Sequence, residues 1–188
     1  MVRVWNKLWE LYFRKVERLS IAWKLSLSIL FSILTGISAQ IYIKLPYTPV
    51  PVTGQVFVVL LSGILLGKNF GCLSQAFYMT GGVLGIRWFY AGSYGIFKPT
   101  FGYIIGFVIA SYFIGKSIEN RKKTLTGIIF IMLSGIFIIY LSGMLWLSIY
   151  LKISLLKSFY LGVLPFIPYD IIKAVVAGII SKSILNSR

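Results

Sequence analysis

The chain has 188 residues, of which 58% are hydrophobic and only 12% are charged, whereas soluble domains carry roughly 25% charged residues. This composition predicts an all-α polytopic membrane protein with no length left for a second soluble domain. One cysteine and no histidine exclude an internal disulfide, a His/Cys zinc site and a Ser-His-Asp triad. We therefore expect no catalytic residue, no metal site and no cofactor.

The charge balance is strongly basic, with 19 Lys and Arg residues against four acids and a formal net charge of +15. In a soluble protein such an excess would suggest nucleic acid, but no nucleic-acid-binding motif accompanies it. Membrane proteins keep Lys and Arg in cytoplasmic loops, next to anionic lipid head groups. We therefore expect contact with membrane lipids and no nucleic acid partner.

Residues 4–19 place aromatic and aliphatic side chains at helical spacing, opposite a row of Lys and Arg. This pattern predicts an amphipathic helix lying on the cytoplasmic membrane surface, and a polar leader is the alternative. The segment lacks the short apolar core of a cleavable signal peptide. We assign residues 1–20 to the interfacial helix and residues 21–188 to a transmembrane substrate-binding domain.

Six apolar runs then predict six transmembrane helices, each crossing a bilayer that needs about 20 residues. The runs are residues 21–43, 55–66, 70–84, 100–114, 125–147 and 168–185. The second and third are short for a full crossing and are separated by Gly67-Lys68-Asn69. Most of the 19 Lys and Arg residues fall on the side of the N-terminus in this topology. The positive-inside rule then predicts a multi-pass protein of the cell membrane with both termini in the cytoplasm.

The stretch LPYTPVPVTGQ, residues 45–55, interrupts the apolar pattern. Non-helical backbone at membrane depth is tolerated where it is buried in protein or lines a cavity, and prolines have no N–H to satisfy there. Thr53 is expected to cap the helix that follows, beginning near Gln55. We interpret this proline segment as a lid over an outward-facing pocket, and the alternative is a rigid interhelical turn.

Asp170 and Lys173 are charged residues near the start of an apolar helix, three residues apart and on one helix face. A charge left at the membrane centre costs about 2.5–3.5 kcal/mol, which makes both residues functional candidates. A carboxylate accepts hydrogen bonds and an ammonium donates them, so the pair suits a small ligand that carries both kinds of group. The alternative is a self-satisfied structural ion pair.

The glycine-rich residues 81–103 are predicted to form a pocket wall. Glycines permit close backbone approach, Trp88 could cover an apolar ring, and Arg87 and Lys98 could meet an anion. Taken alone, each aromatic residue of this stretch also fits a membrane-interface belt.

Small residues recur at Ser28, Ser32 and Gly36 on the first predicted span. Such a stripe permits close helix packing, either inside the chain or against a partner membrane protein. Gly102 and Gly106 are spaced in the same way and carry the same two alternatives.

The stretch from Ser62 to Asn69 resembles a Walker A loop. Ser62 stands in place of the first glycine of that motif, and Asn69 in place of its final Ser or Thr. We therefore expect no nucleotide site in this chain.

Six stretches together are similar to the BioY family, the biotin-binding S components of energy-coupling factor (ECF) transporters. They are PVPVTGQ (49–55), LLSGILLGKNFG (60–71), YMTGGVLGIRWF (78–89), KPTFGYIIGF (98–107), IYLSGMLWL (139–147) and PFIPYDIIKA (165–174). They follow the family order and cover most of residues 45–180. The chain departs from the family where Arg87 stands in place of a proline in Gly-x-Pro-x-Phe, and its basic leader is longer.

The resemblance implies a six-helix S-component fold with an outward-facing biotin site, coupled to a transmembrane scaffold subunit and to separate ABC-type ATPase subunits. Asp170 would accept the ureido N–H groups of biotin, and Lys173 would meet the ureido oxygen or the carboxylate. Trp88 or Tyr103 would pack on the ring system, and the segment around Thr53 and Gln55 would close the top.

We expect the small-residue stripe of Ser28, Ser32 and Gly36 to meet the scaffold subunit. Three alternatives to a biotin-binding subunit remain open at this point. They are an S component for another vitamin such as thiamine or riboflavin, an intramembrane enzyme whose acid-base chemistry would rest on Asp170 alone, and a structural membrane partner without a ligand.

Overall fold

The computed structural model describes residues 19–119 and 124–186, with side chains through residue 183. The predicted amphipathic helix falls almost wholly outside these ranges and stays a prediction. Six helices follow one another in the described chain: α1 (Ile21–Ser38), α2 (Gln55–Val83), α3 (Phe101–Glu119), α4 (Leu125–Leu151), α5 (Leu155–Gly162) and α6 (Ile167–Asn186). Short 3-10 turns at Tyr90–Gly92 and Leu164–Phe166 lie between them.

Five helical stretches of the described chain are long and apolar enough to cross a membrane. They are α1, α2, α3, α4 and a stretch from Leu155 to Ser183 that joins α5 to α6. The predicted helical, multi-pass membrane protein is thus confirmed, whereas α5 is a helix that no predicted span included. The count of six membrane crossings stays a prediction.

Side-chain caps explain where three of the helices begin. The hydroxyls of Ser20, Thr124 and Ser154 each accept the backbone N–H three residues later, at 3.1–3.4 Å. Each hydroxyl satisfies one of the N–H groups that a first helical turn leaves unpaired. The starts of α1, α4 and α5 are therefore encoded locally.

The helical run of α2 doubles back at Gly67, where φ is 74° and ψ is −178°. A Cβ atom built on Gly71 would lie 2.7 Å from the carbonyl oxygen of Ser62, although nine residues of straight helix span about 13 Å. Residues 55–66 and residues 68–83 are therefore two arms packed side by side. The positive φ requires glycine at the turn, and the turn coincides with the predicted break between the second and third spans.

An ion pair fixes the position of this turn in the bundle. Lys68 Nζ lies 2.9 Å from Glu119 Oε2 at the end of α3, and Gly115 of α3 lets the backbone of Lys68 approach closely. Lys68, which lies in the stretch that resembles a Walker A loop, therefore serves the contact between the turn of α2 and the end of α3. The turn and the end of α3 lie together, at the opposite end of the bundle from the starts of α2 and α3.

The small-residue stripe of α1 faces the interior of the chain. Ser28 is fully buried and its Oγ donates to the carbonyl oxygen of Phe70 at 3.1 Å, while Ser32 is 2% exposed. A Cβ built on Gly36 would lie 3.0 Å from Trp88 Cβ. These contacts use the stripe for packing within the chain, and its contact with a scaffold subunit stays a prediction. Gly106 likewise packs on α4, because its added Cβ would lie 2.8 Å from the Cα of Ile139.

A two-stranded ribbon follows α1. Strand β1 (Tyr42–Ile43) pairs antiparallel with β2 (Val52–Thr53), with Tyr42 opposite Thr53. The helix ends at Ser38, five residues before the predicted end of the span at Ile43. The ribbon turns the proline segment back over the end of the bundle where α2 begins.

Candidate ligand-binding site

A pocket lies at this end of the bundle, between the ribbon and the starts of α2, α3 and α6. It contains about 560 Å³ of space between atoms, a volume that includes open solvent at its mouth. Its apolar walls include Val50, Val56, Ile104, Phe107, Ile139 and Phe166. Its polar groups come from Thr53, Gln55, Thr100, Tyr103, Tyr140, Asp170 and Lys173.

Asp170 is the buried acid of the pocket, with 3% of its surface exposed. Its Oδ1 accepts a hydrogen bond from Lys173 Nζ at 2.6 Å, and its Oδ2 accepts one from the hydroxyl of Tyr140 at 2.7 Å. Asp170 lies in the first turn of α6, where the helix dipole favours a negative charge. Each carboxylate oxygen keeps further lone-pair capacity, so a ligand N–H can still bind there.

Lys173 completes a charge pair whose ammonium stays reachable, since 17% of its side chain is exposed. The prediction that Lys173 lies on the same face as Asp170 is confirmed by their direct contact. An ammonium has three donors, and Asp170 takes one of them. The charges of the carboxylate and the ammonium cancel, so the pair carries no net charge. It still presents acceptor and donor groups to the same pocket.

Tyr140 is a polar pocket residue that the sequence analysis missed. It lies within the apolar helix α4, 9% exposed, and its hydroxyl donates to Asp170. A tyrosine in a membrane helix is compatible with ordinary packing, so nothing in the helical pattern singles it out. Only the fold shows that α4 brings this hydroxyl to α6.

Gln55 is held rigidly at the start of α2. Its Nε2 donates to the hydroxyl of Tyr78 at 2.7 Å, and its Oε1 accepts from the Thr53 hydroxyl at 2.9 Å. The Thr53 hydroxyl also accepts the backbone N–H of Gln55 at 3.4 Å. The N-cap residue of α2 is Gly54, so the predicted cap at Thr53 is wrong by one residue. Both predicted residues line the pocket with fixed polar groups.

The proline segment forms one wall of the pocket. Val50, Pro51 and Val52 are buried and line it, and the hydroxyl of Thr48 donates to the carbonyl oxygen of Leu161 in α5 at 2.6 Å. The segment is thus attached to the bundle through a side chain.

Tyr103 also lines the pocket. It is 8% exposed, and its hydroxyl donates to the carbonyl oxygen of Gly162 at 2.6 Å. Gly143 of α4 leaves room for its ring. The ring is therefore held in a fixed position at the pocket wall.

Trp88 lies outside the pocket lining. Its indole Nε1 donates to the carbonyl oxygen of Tyr78 at 2.9 Å, and its ring packs on Gly36 and Gly81. The positive φ of 111° at Gly85 turns the chain after α2, so Trp88 folds back between α1 and α2. The expectation that Trp88 packs on the ligand ring is not supported by this placement.

Arg87 and Lys98 also lie outside the pocket lining. Arg87 is exposed and its guanidinium carbon lies 5.7 Å from the centroid of the Tyr94 ring. Lys98 is half-buried, and its backbone carbonyl accepts a hydrogen bond from the indole of Trp146 at 2.7 Å. The structure thus brings together Asp170, Lys173, Thr53, Gln55 and Tyr103 of the predicted residues.

In chemical terms the pocket combines apolar walls with one acceptor and several donors at its Asp170 end. In the part of the chain that the structure describes, no group of three or more His, Cys, Asp or Glu residues could hold a metal ion. The arrangement suits a small, largely apolar ligand with a polar ring or head that offers both N–H and C=O groups.

Comparison with known proteins points to one family. The model of the BioY family matches residues 13–188. A probable biotin transporter BioY of Pyrococcus horikoshii is 43% identical over 162 residues, covering 85% of this chain and 94% of the relative. A biotin transporter BioY of Thermotoga maritima is 36% identical over 143 residues, covering 74% and 83%.

A solved structure is similar throughout the fold. The crystal structure of the S-component for biotin from an ECF-type ABC transporter superposes with a TM-score of 0.77 at 25% identity. The superposition covers 87% of this chain and 90% of that one.

Proposed function

Because the chain belongs to the BioY family, we propose that it is the membrane-embedded biotin-binding subunit of an ECF-type vitamin transporter. The observation that carries the proposal is the buried carboxylate of Asp170, held between Tyr140 and Lys173 at the wall of an apolar pocket. The relatives named as biotin transporters support the same ligand.

Biotin has a ureido ring with N–H donors and a C=O acceptor, an apolar thiophane ring and a carboxylate tail. Asp170 would accept from the ureido N–H groups and Lys173 would donate to the ureido oxygen. A ligand carboxylate at Lys173 would lie close to the Asp170 carboxylate, because the two side chains are 2.6 Å apart, and like charges repel. The neutral ureido group therefore fits this end better than the tail does.

The remaining pocket residues would hold the rest of the ligand. Tyr103 would pack on the ring system, and Thr53 and Gln55 would contribute polar contacts near the proline segment. Val50 and Pro51 would cover the ligand as part of the predicted lid. These roles agree with the placement of all five residues around one pocket.

For the membrane arrangement, we propose six crossings, in which the two arms of α2 are the second and third. The pocket would face outward and both termini would face the cytoplasm. The cations Lys68 and Lys116 at the end of the bundle away from the pocket support this orientation under the positive-inside rule. Uptake would depend on a transmembrane scaffold subunit and separate ATPase subunits.

The test is binding of radiolabelled biotin to the purified protein. Asp170→Asn and Lys173→Ala should each weaken binding by about 30-fold or more, because truncating one member of a buried charge pair costs about 2–5 kcal/mol. Lys157→Ala is a matched control, since Lys157 is exposed at the same end of the bundle. Losses under threefold in both pocket variants would refute the assigned contacts.

Competition binding identifies which vitamin the pocket takes. Unlabelled biotin should displace the label, whereas thiamine and riboflavin should not, because neither carries a cyclic urea fused to a saturated thiophane ring. Displacement by thiamine at a similar concentration would instead favour an S component for another vitamin.

A further inference from the structure

The end of α5 is attached to two walls of the ligand pocket. The carbonyl groups of a final helical turn have no partner within the helix. In α5 two consecutive ones are used: Leu161 accepts from the Thr48 hydroxyl and Gly162 accepts from the Tyr103 hydroxyl, each at 2.6 Å. Thr48 belongs to the proline segment and Tyr103 lines the pocket. One short helix therefore contacts both the proline segment and Tyr103 of the pocket lining.

Thr48 makes a second contact that transmits this attachment to the pocket. Its Oγ1 accepts the backbone N–H of Val50 at 3.1 Å, and Val50 is the first buried residue of the wall, 6% exposed. The flanking residues Tyr47 and Pro49 are exposed. The proline segment can make few backbone hydrogen bonds, because Pro46, Pro49 and Pro51 have no N–H. A side-chain hydroxyl thus supplies an attachment that the backbone cannot.

We propose that Thr48 is a positioning residue that latches the proline segment to α5 and thereby sets the rate at which a bound ligand leaves. The inference rests on the proposed function, since the ligand used to test it is biotin. Moving the wall formed by residues 50–53 away from the bundle requires breaking the contact between Thr48 and Leu161. This would leave the Leu161 carbonyl without that donor, so the hydroxyl resists opening of the wall.

The first experiment measures release of radiolabelled biotin from the purified protein after dilution into excess unlabelled biotin. Thr48→Val keeps the shape of the side chain and removes the hydroxyl, and it should release biotin about three- to tenfold faster, the effect of losing one hydrogen bond. Thr48→Ala should behave in the same way and serves where the Val variant does not purify as a folded protein. Thr48→Ser keeps the donor and should release biotin at the wild-type rate.

Thr80→Val is the matched control for the removal of a threonine hydroxyl. Thr80 is exposed, and its hydroxyl bonds to the carbonyl oxygen of Ala76 in its own helix. The Thr80→Val variant should release biotin at the wild-type rate. Release from Thr48→Val within twofold of wild type, or equal acceleration in Thr80→Val, would overturn the latch.

A second experiment needs no ligand and separates the latch from the proposed function. In a Cys72→Ser background, Val50→Cys places a thiol on the buried wall, where a water-soluble maleimide reacts only as the wall opens. Adding Thr48→Val should accelerate labelling about three- to tenfold, and adding Thr48→Ser should not. Equal labelling rates would overturn the latch even if biotin binds. Accelerated labelling, together with no biotin binding by the wild-type protein, would support the latch and refute the proposed ligand.

Discussion

Tyr140 donates a 2.7 Å hydrogen bond to Oδ2 of Asp170, joining α4 to α6 inside the pocket. The bond leaves Oδ1 to Lys173 and fixes the plane of the carboxylate. Because a hydrogen bond to a charged group contributes about 1.5–3 kcal/mol, Tyr140 is a determinant of how Asp170 meets a ligand. The first prediction follows from this contact.

Tyr140→Phe should weaken biotin binding by about tenfold or more while the protein stays folded. The ring is retained and only the hydroxyl that orients Asp170 is lost. Equilibrium binding of radiolabelled biotin measures the effect. Tyr112→Phe is the control, because Tyr112 is 40% exposed on α3 and lies outside the pocket lining. Wild-type affinity in Tyr140→Phe would show that the carboxylate is oriented without the hydroxyl.

Gly67→Ala should destabilise the folded protein by about 1–2 kcal/mol, because a residue with a side chain is strained at φ of 74°. The strain falls on the turn that pairs the two arms of α2. The apparent melting temperature in detergent measures the loss. Asn69→Ala, at an exposed position two residues later, should leave it nearly unchanged. An unaltered melting temperature for Gly67→Ala would contradict a sharp reversal at this glycine.

Gly36→Leu should lower the stability of the isolated protein, because its side chain would collide with Trp88, whose Cβ lies 3.0 Å from the position of a Cβ at residue 36. A surface that only docks a partner would tolerate the change in the isolated chain. Thermal unfolding of the purified protein distinguishes the two cases. Ile33→Leu, at a position 44% exposed on the same helix, is the control. Normal stability with impaired complex assembly would instead favour docking of a partner at the stripe.

The sequence predicted the charged part of the site better than its aromatic part, for a physical reason. Asp170 and Lys173 stand out because charge in an apolar helix is costly, so their presence alone calls for an explanation. Trp88 carries no such cost, since an aromatic ring fits a pocket, a lipid interface and a helix contact equally well. Its place between α1 and α2 depends on the turn at Gly85, which a local pattern does not orient.

The fold shows the same division between local and tertiary information. Helix starts with a capping hydroxyl, such as Ser154 before α5, are encoded over four residues. The existence of α5 was nevertheless missed, because eight residues between two apolar spans present too few turns for a periodic pattern. The stripe of small residues on α1 predicted close packing correctly, but the identity of the packing partner depends on where α2 lies.

The last prediction separates ligand binding by the Asp170 and Lys173 pair from a purely structural role. Lys173→Met alone should destabilise the protein, because it leaves a buried carboxylate without its cation, which costs about 3–5 kcal/mol. Adding Asp170→Leu removes the unpaired charge, so the double variant should regain much of the melting temperature. Biotin binding should be lost in both variants, because the donor and acceptor groups are gone. If the stable double variant instead binds biotin as wild type does, the pair serves the fold and the ligand is held by other groups.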